Sequence, residues 1–207
     1  MSYILENPAE ILNLLLQHLQ ITCLSVLIAV SIALPLAIAI TYYRWLQVPV
    51  MVFLGALYTI PSLALIILLV PIFGLSAQSV IAAMVIYTQV ILVRNISVAL
   101  DSIEPTILEA AKGMGMSAWQ RWWWVQLPMI LPVFLAGVRL AAIIAIAITS
   151  IGAKFGAGGL GVLLFEGVQQ NQTEKIWAGT IVVAIGAITL NSALLYLERV
   201  SRRRGAY

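Results

Sequence analysis

Apolar residues run along this chain in long blocks separated by short polar interruptions. A bilayer core about 30 Å thick takes about 20 mostly apolar helical residues at about 1.5 Å each. Five runs meet that length: Leu19 to Tyr43, Val50 to Phe73, Ser79 to Leu100, Ile130 to Ile151 and Ala178 to Leu197. The pattern predicts an all-α membrane protein with five transmembrane helices. Residues 1–18 precede the membrane domain, residues 19–197 form it, and residues 198–207 make a basic tail. Tyr42, Tyr43, Trp45 and Trp177 fall near span ends, where amphipathic rings favour the headgroup level.

Composition agrees with the pattern. Hydrophobic residues make up 62% and charged residues 9%, with a mean hydropathy of +1.05, whereas soluble domains carry about 25% charged residues. Five crossings put the termini on opposite sides. Arg44, Lys112, Arg121 and the arginines at 199, 202, 203 and 204 fall on one side; Lys154 and Lys175 fall on the other with Glu6, Glu10, Glu166 and Glu174. The positive-inside rule then places the N-terminus outside and the C-terminus in the cytoplasm. The net charge of +3 is concentrated in the C-terminal arginines, which reads as a cytoplasmic anchor on membrane lipid and not as a nucleic-acid surface. Glu6 and Glu10 replace the basic start of a cleavable signal peptide, so the N-terminus is expected to be retained.

The longest polar interruption, Asp101 to Pro128, lies on the cytoplasmic side. Thr106-Ile107-Leu108-Glu109 has the spacing of a capping box, with Pro105 before it, so a helix is expected to start near Thr106. Gly113 and Gly115 are candidates to close it in the left-handed conformation. Ser117-Ala118-Trp119-Gln120 is a second capping box, starting a helix expected to end at Leu127 before Pro128. The bend presents Met114 and Met116, flexible apolar side chains that adapt to a partner's groove.

Glu109-Ala110-Ala111, Gly115 and Leu127-Pro128 resemble the cytoplasmic signature of type I ABC importer permeases, with Val125 where the family pattern usually has isoleucine. The likeness extends over roughly Leu19 to Leu197. Ile60-Pro61-Ser62-Leu63-Ala64-Leu65, Leu92-Val93-Arg94-Asn95, Gly113-Met114-Gly115-Met116 and Gly156-Ala157-Gly158-Gly159-Leu160-Gly161 look like the subgroup importing glycine betaine, choline, carnitine and related osmoprotectants; Lys154 departs from the apolar residue expected before the last motif. The resemblance implies that residues 101–128 are a coupling segment seated in an ATPase subunit, with Glu109, Ala110, Ala111, Gly113, Met114, Gly115 and Met116 as its centre. It further implies two ABC ATPase subunits carrying the ATP and Mg, a second permease chain, identical or homologous, and an extracytoplasmic solute-binding protein, in a bacterial or archaeal cytoplasmic membrane. No cofactor is expected on this chain. An amino-acid permease, for methionine for example, and an autonomous channel or secondary carrier are the alternatives.

Other signals are weaker. Tyr58, Thr59, Pro61, Ser62, Gln89, Asn95, Thr149 and Ser150 are polar or helix-breaking positions within spans, suited either to line a translocation path or to hydrogen-bond neighbouring helices. Pro35 and Pro61 can each kink a span, for packing or to bend it around a polar path. Gly156 to Gly161 matches a dinucleotide-binding glycine pattern, but a membrane span precedes it where a strand is required; a tightly packed external loop or re-entrant turn bordering the outer gate is expected. Arg94 and Arg139, the charges inside spans, are expected to snorkel or to pair with Asp101, Glu104 or Glu109. No Asp or Glu lies well inside a span, against carboxylate-coupled secondary transport. Cys23 is expected to be a small buried hydrophobe and His18 to sit at the interface; no metal cluster and no catalytic triad are legible.

Overall fold

The computed structural model describes residues 2–204, with the side chains of Ser2, Arg203 and Arg204 left aside; residues 205–207 of the expected tail lie outside the described residues. The described chain is helical throughout, without strands. A short α1 (Ser2–Glu6) leads into α2 (Pro8–Tyr42), α3 (Arg44–Thr59), α4 (Ser62–Phe73) and α5 (Ala77–Asp101). Next come α6 (Pro105–Gly113) and α7 (Ala118–Arg121), then a π-helical turn, Trp122–Gln126, and α8 (Leu127–Gly152). A 3-10 turn, Ala153–Phe155, α9 (Gly161–Gln169) and α10 (Thr173–Arg204) complete the chain.

The centre of the bundle is α5. Just over half of its membrane-length window, 56%, is buried, against 0% for α10, so the first is a core helix and the second a peripheral one. Small residues of α2 allow the approach: Ser25, Ala29, Ala33 and Ala37 recur every four residues and are all buried. On the other side α8 presents Gly137 against Asn95 and Gly152 against Val80 of α5. Ala141, Ala142 and Ala145 continue this seam. Large side chains fill the layers between, with Ile40, Leu92, Ile96 and Ile130 in one cluster and Ile66, Val80 and Met84 in a second.

Four helices are long and apolar enough to cross a membrane on their own. The expected span from Val50 to Phe73 is α3 and α4, bent by 95° at Pro61, one of the two prolines read as able to kink a span. Pro61 causes the break: it offers no amide to Leu57, and it forces Ile60 into an extended conformation at φ −68°, ψ 125°. Pro35 lies inside α2 without interrupting it. At 35 residues, or about 52 Å, α2 exceeds the bilayer core, so the boundary expected at residue 18 falls within a continuous helix. The boundary at 198 likewise falls within α10.

The charge grouping read from the loops has a spatial counterpart. Arg44 lies 3.6 Å from Asp101 at one end of the bundle. At the other end Lys175 meets Glu166 at 3.2 Å and sits over the Tyr3 ring. There the Tyr3 hydroxyl donates to Glu10 at 2.9 Å; partial burial, then the Glu10 hydrogen bond and carboxylate charge, push its pKa up to about 12. The phenol therefore stays a neutral donor at any physiological pH.

Two expectations fail. Cys23 is exposed, on an outer face of α2 beside exposed Leu24 and Leu27. Arg139 pairs with Glu198 at 3.3 Å, not with Asp101, Glu104 or Glu109. His18 is 2% exposed, covered by α8 and the glycine-rich loop.

A β-carbon added at Gly152 would lie 2.5 Å from Val80, whereas one at Gly55 meets nothing within 4 Å. Gly152→Leu should therefore destabilise by about 1–3 kcal/mol through overpacking. Gly55→Ala should be neutral or slightly stabilising, and thermal unfolding in detergent compares the two.

Candidate functional site

The segment between α5 and α8 is built from ordinary helix signals. Pro105 occupies the first turn of α6, where its missing amide costs nothing. The expected Thr106 capping box does not form, because the helix already begins at Pro105 and puts Thr106 inside it. The Thr106 hydroxyl donates instead to Glu104 Oε2 at 3.3 Å. Leu108 packs on the bundle and Ala111 is buried, so one face of α6 is anchored.

The end of α6 is a Schellman turn. The Met116 amide donates to Ala111 O at 3.2 Å and the Gly115 amide to Lys112 O at 3.0 Å. That closure requires a left-handed residue, which Gly115 supplies at φ +79°; Gly113 stays within the helix and has no positive φ. Ser117 then caps α7 in the expected capping box: its hydroxyl accepts from the Gln120 amide, and its own amide donates to Gln120 Oε1. Arg121 Nη1 donates to Met116 O at 2.8 Å and ties the turn to α7. This tie was invisible in the sequence, although a basic residue ending a helix is a familiar partner for carbonyls.

The turn's outer surface carries Glu109, Ala110, Gly113, Met114 and Gly115, all exposed, with Met114 at 70%. Met116 is half-buried and Ala111 faces inward. The candidate contact is thus an apolar tip held by two adjacent caps. Pro128 does not end the second helix as expected. It stands in the first turn of α8, and a π-helical turn over Trp122 to Gln126 carries the chain from α7 into α8 without a break.

The eight polar span positions do not converge. Gln89 and Thr149 are interior: Gln89 Nε2 donates to Ala29 O at 3.1 Å, and the Thr149 hydroxyl donates to Ala145 O at 2.8 Å beside Thr22. Asn95 and Ser150 are half-buried, donating to Ile91 O and Ile146 O. Tyr58, Thr59 and Pro61 lie exposed at the α3–α4 bend with half-buried Ser62 next to them, and the Tyr58 ring rests 4.6 Å from Tyr87. A path formed by this chain alone is not present among them.

Two groups escaped sequence reasoning. Gln17 and His18 of α2 hold the glycine-rich loop: Gln17 Oε1 accepts from the Gly159 amide at 3.0 Å, and a β-carbon at Gly159 would lie 3.1 Å from His18 Nδ1. His18 Nε2 donates to Ile146 O at 3.2 Å, so one imidazole joins α2, α8 and the loop. Glu198 is the second group. It is 7% exposed and accepts from both Arg139 and Arg202, while Asn191 also contacts Arg139. An arginine inside a span needs such an acceptor, and Asn191, Glu198 and Arg202 share one face of α10. Among the described residues no acidic, histidine or cysteine cluster is spaced to hold a metal.

Comparison with known proteins agrees with this arrangement. Residues 25–205 match the family described as binding-protein-dependent transport system inner membrane component. The chain is 38% identical to the osmoprotectant import permease protein OsmW of Salmonella typhimurium, over 98% of this chain and 97% of that one. It is 36% identical to the choline transport system permease protein OpuBD of Bacillus subtilis, over 96% and 88%. A solved structure of the MetNI methionine ABC transporter in an inward-facing conformation superposes with a TM-score of 0.83 at 20% identity, covering 94% of this chain and 98% of that one; it shares the fold. The chain belongs to the family of binding-protein-dependent transport system inner membrane components, as a type I ABC importer permease of the osmoprotectant subgroup.

Proposed function

We propose that this chain is the permease subunit of an ATP-driven importer that moves a small quaternary amine, such as glycine betaine, choline or carnitine, across the cytoplasmic membrane by alternating access. The observation that carries the solute class is 38% identity across almost the whole chain to an osmoprotectant import permease. The likeness to the methionine transporter supports the fold and gives no reason to choose methionine.

In this reading α3 and α4 together make one broken span, five spans cross, the N-terminus lies outside, and the segment from Asp101 to Pro128 faces the cytoplasm. ATP and Mg are held by two partner ATPase subunits, and this chain is not itself an enzyme. The exposed tip at Glu109, Ala110, Met114 and Gly115, with Ala111, Gly113 and Met116 supporting it, seats in an ATPase subunit. Closure of the ATPase pair displaces that tip, and the continuous helix from α7 into α8 carries the displacement into the membrane.

The exposed apolar faces of α3, α4 and α10, including Phe53, Ile72, Ile185 and Ile188, suit lipid and a second permease chain. That second chain, identical or homologous, is needed because the eight polar positions enclose no path here. The exposed set at the bend, Tyr58, Thr59, Pro61 and Ser62, then faces the shared interior, whereas Gln89 and Thr149 serve mainly as helix-to-helix hydrogen bonds and Asn95 and Ser150 lie between the two classes. An extracytoplasmic binding protein delivers solute at the opposite end, where the loop from Gly156 to Gly161 is braced by Gln17 and His18.

Two measurements test this reading. Gly115→Val forces a β-branched residue to φ +79° at a cost of about 1–3 kcal/mol. It should reduce solute-stimulated ATP hydrolysis by the reconstituted complex about tenfold or more while leaving the chain in the membrane; unchanged hydrolysis would remove the coupling role. In proteoliposomes, uptake should require the ATPase subunits and should be competed by glycine betaine or choline but not by methionine. Uptake without any ATPase would instead indicate an autonomous carrier.

A further inference from the structure

An apolar cleft borders the arginine-rich end of α10. Leu127, Leu131 and Leu135 of α8 face Leu197, Val200 and Ser201 of α10 across about 480 Å³, within the size range of small-ligand sites. Two features make it more than an unpaired apolar face. The first is Ser201, which lines the cleft, is only 7% exposed, and has a hydroxyl without a hydrogen-bond partner. A buried hydroxyl is costly to leave unsatisfied, so the cleft holds a polar group waiting for an oxygen or a donor.

The second is charge. Arg199, Arg202, Arg203 and Arg204 crowd the end of α10, and Glu198 is the only acidic residue after Glu174. That glutamate is already shared between Arg139 and Arg202. The helix continues from Val200 and Ser201 through positions 203 and 204, one turn further along the chain. A ligand reaching from the leucines past Ser201 therefore passes from an apolar wall to the arginine-rich end of the sequence.

We propose that this cleft binds an anionic phospholipid, with an acyl chain between α8 and α10, an ester oxygen accepting from Ser201 Oγ, and the phosphate against the arginines of α10. Leucine walls bury hydrocarbon, and clustered arginines beside a membrane helix favour anionic headgroups over zwitterionic ones. The occupant would press on Leu127 and Pro128, the first turn of α8. This inference needs a membrane protein but neither the proposed solute nor the proposed orientation.

Native mass spectrometry of the purified full chain in detergent, with phosphatidylglycerol and phosphatidylcholine of matched chains, is the test. Phosphatidylglycerol should be retained preferentially, and Arg203→Gln and Arg204→Gln should each weaken it about fivefold. Leu131→Trp, which fills the cleft without changing charge, should reduce retention of both lipids. A photoreactive acyl chain should crosslink within residues 127–135 and 197–204, a readout that uses the unaltered chain. Equal retention of the two lipids would overturn the proposal. So would charge dependence with crosslinks scattered over the surface, which means diffuse attraction, or a stable dimer that shields the cleft from crosslinking. Transport need not be measured, so a failure here is distinct from a failure of the importer reading.

Discussion

Hydrocarbon offers no partner to an exposed amide and little energy for bringing one apolar helix to another, so helices in a membrane associate through close contact between surfaces that fit. In this chain the fit is made by small residues on both neighbours of α5. Ala29, Ala33 and Ala37 admit it from α2, and Gly137 and Gly152 admit it from α8. Everything else is arranged around that sandwich. The break at Pro61 lets α4 fold back against α5, α10 is carried on α8 and α9, and the polar connection leaves from the end of α5.

Close contact also explains the interior polar groups. Gln89 bonds to a carbonyl of α2, and Thr22 and Thr149 meet between α2 and α8. Bonds of this kind in membrane helices are modest individually, averaging about 0.6 kcal/mol, but they fix rotation about the helix axis, which featureless alanine contacts do not. The Arg139–Glu198 pair does the same for α8 and α10. Its charges are expensive to bury singly, so the two helices cannot separate within hydrocarbon without exposing one.

Much of this was legible in the residues. Runs of about twenty apolar positions located the long helices to within a few residues in α5 and α8 and found the apolar middle of the longer α10, because composition alone decides whether a segment tolerates hydrocarbon. The second cap was legible because Ser117 and Gln120 are local and their spacing is geometric. The first misled, since Pro105 began the helix one residue earlier than the Thr106 reading allowed. Pro128 misled for the related reason that proline ends helices only beyond their first turn. What could not be read were partners distant in sequence: Gln17 to Gly159, His18 to Ile146 and Arg139 to Glu198 span between 59 and 142 positions. Nor does hydropathy say which face of α2 meets protein, which is why Cys23 was assigned to the wrong side.

The π-helical turn from Trp122 to Gln126 has a mechanical meaning. A loop in that place would act as a hinge and dissipate motion, and a glycine would act as a swivel. The chain has neither between Trp122 and Gln126, and Ala118 to Phe155 runs as 38 continuous helical residues. Widening a single turn shifts the phase of the helix without cutting it, so the segments before and after it keep different facings along one unbroken axis. The same helix that is capped at Ser117 beside the exposed turn thus ends, without an interruption, at the Gly152–Val80 contact in the core of the bundle.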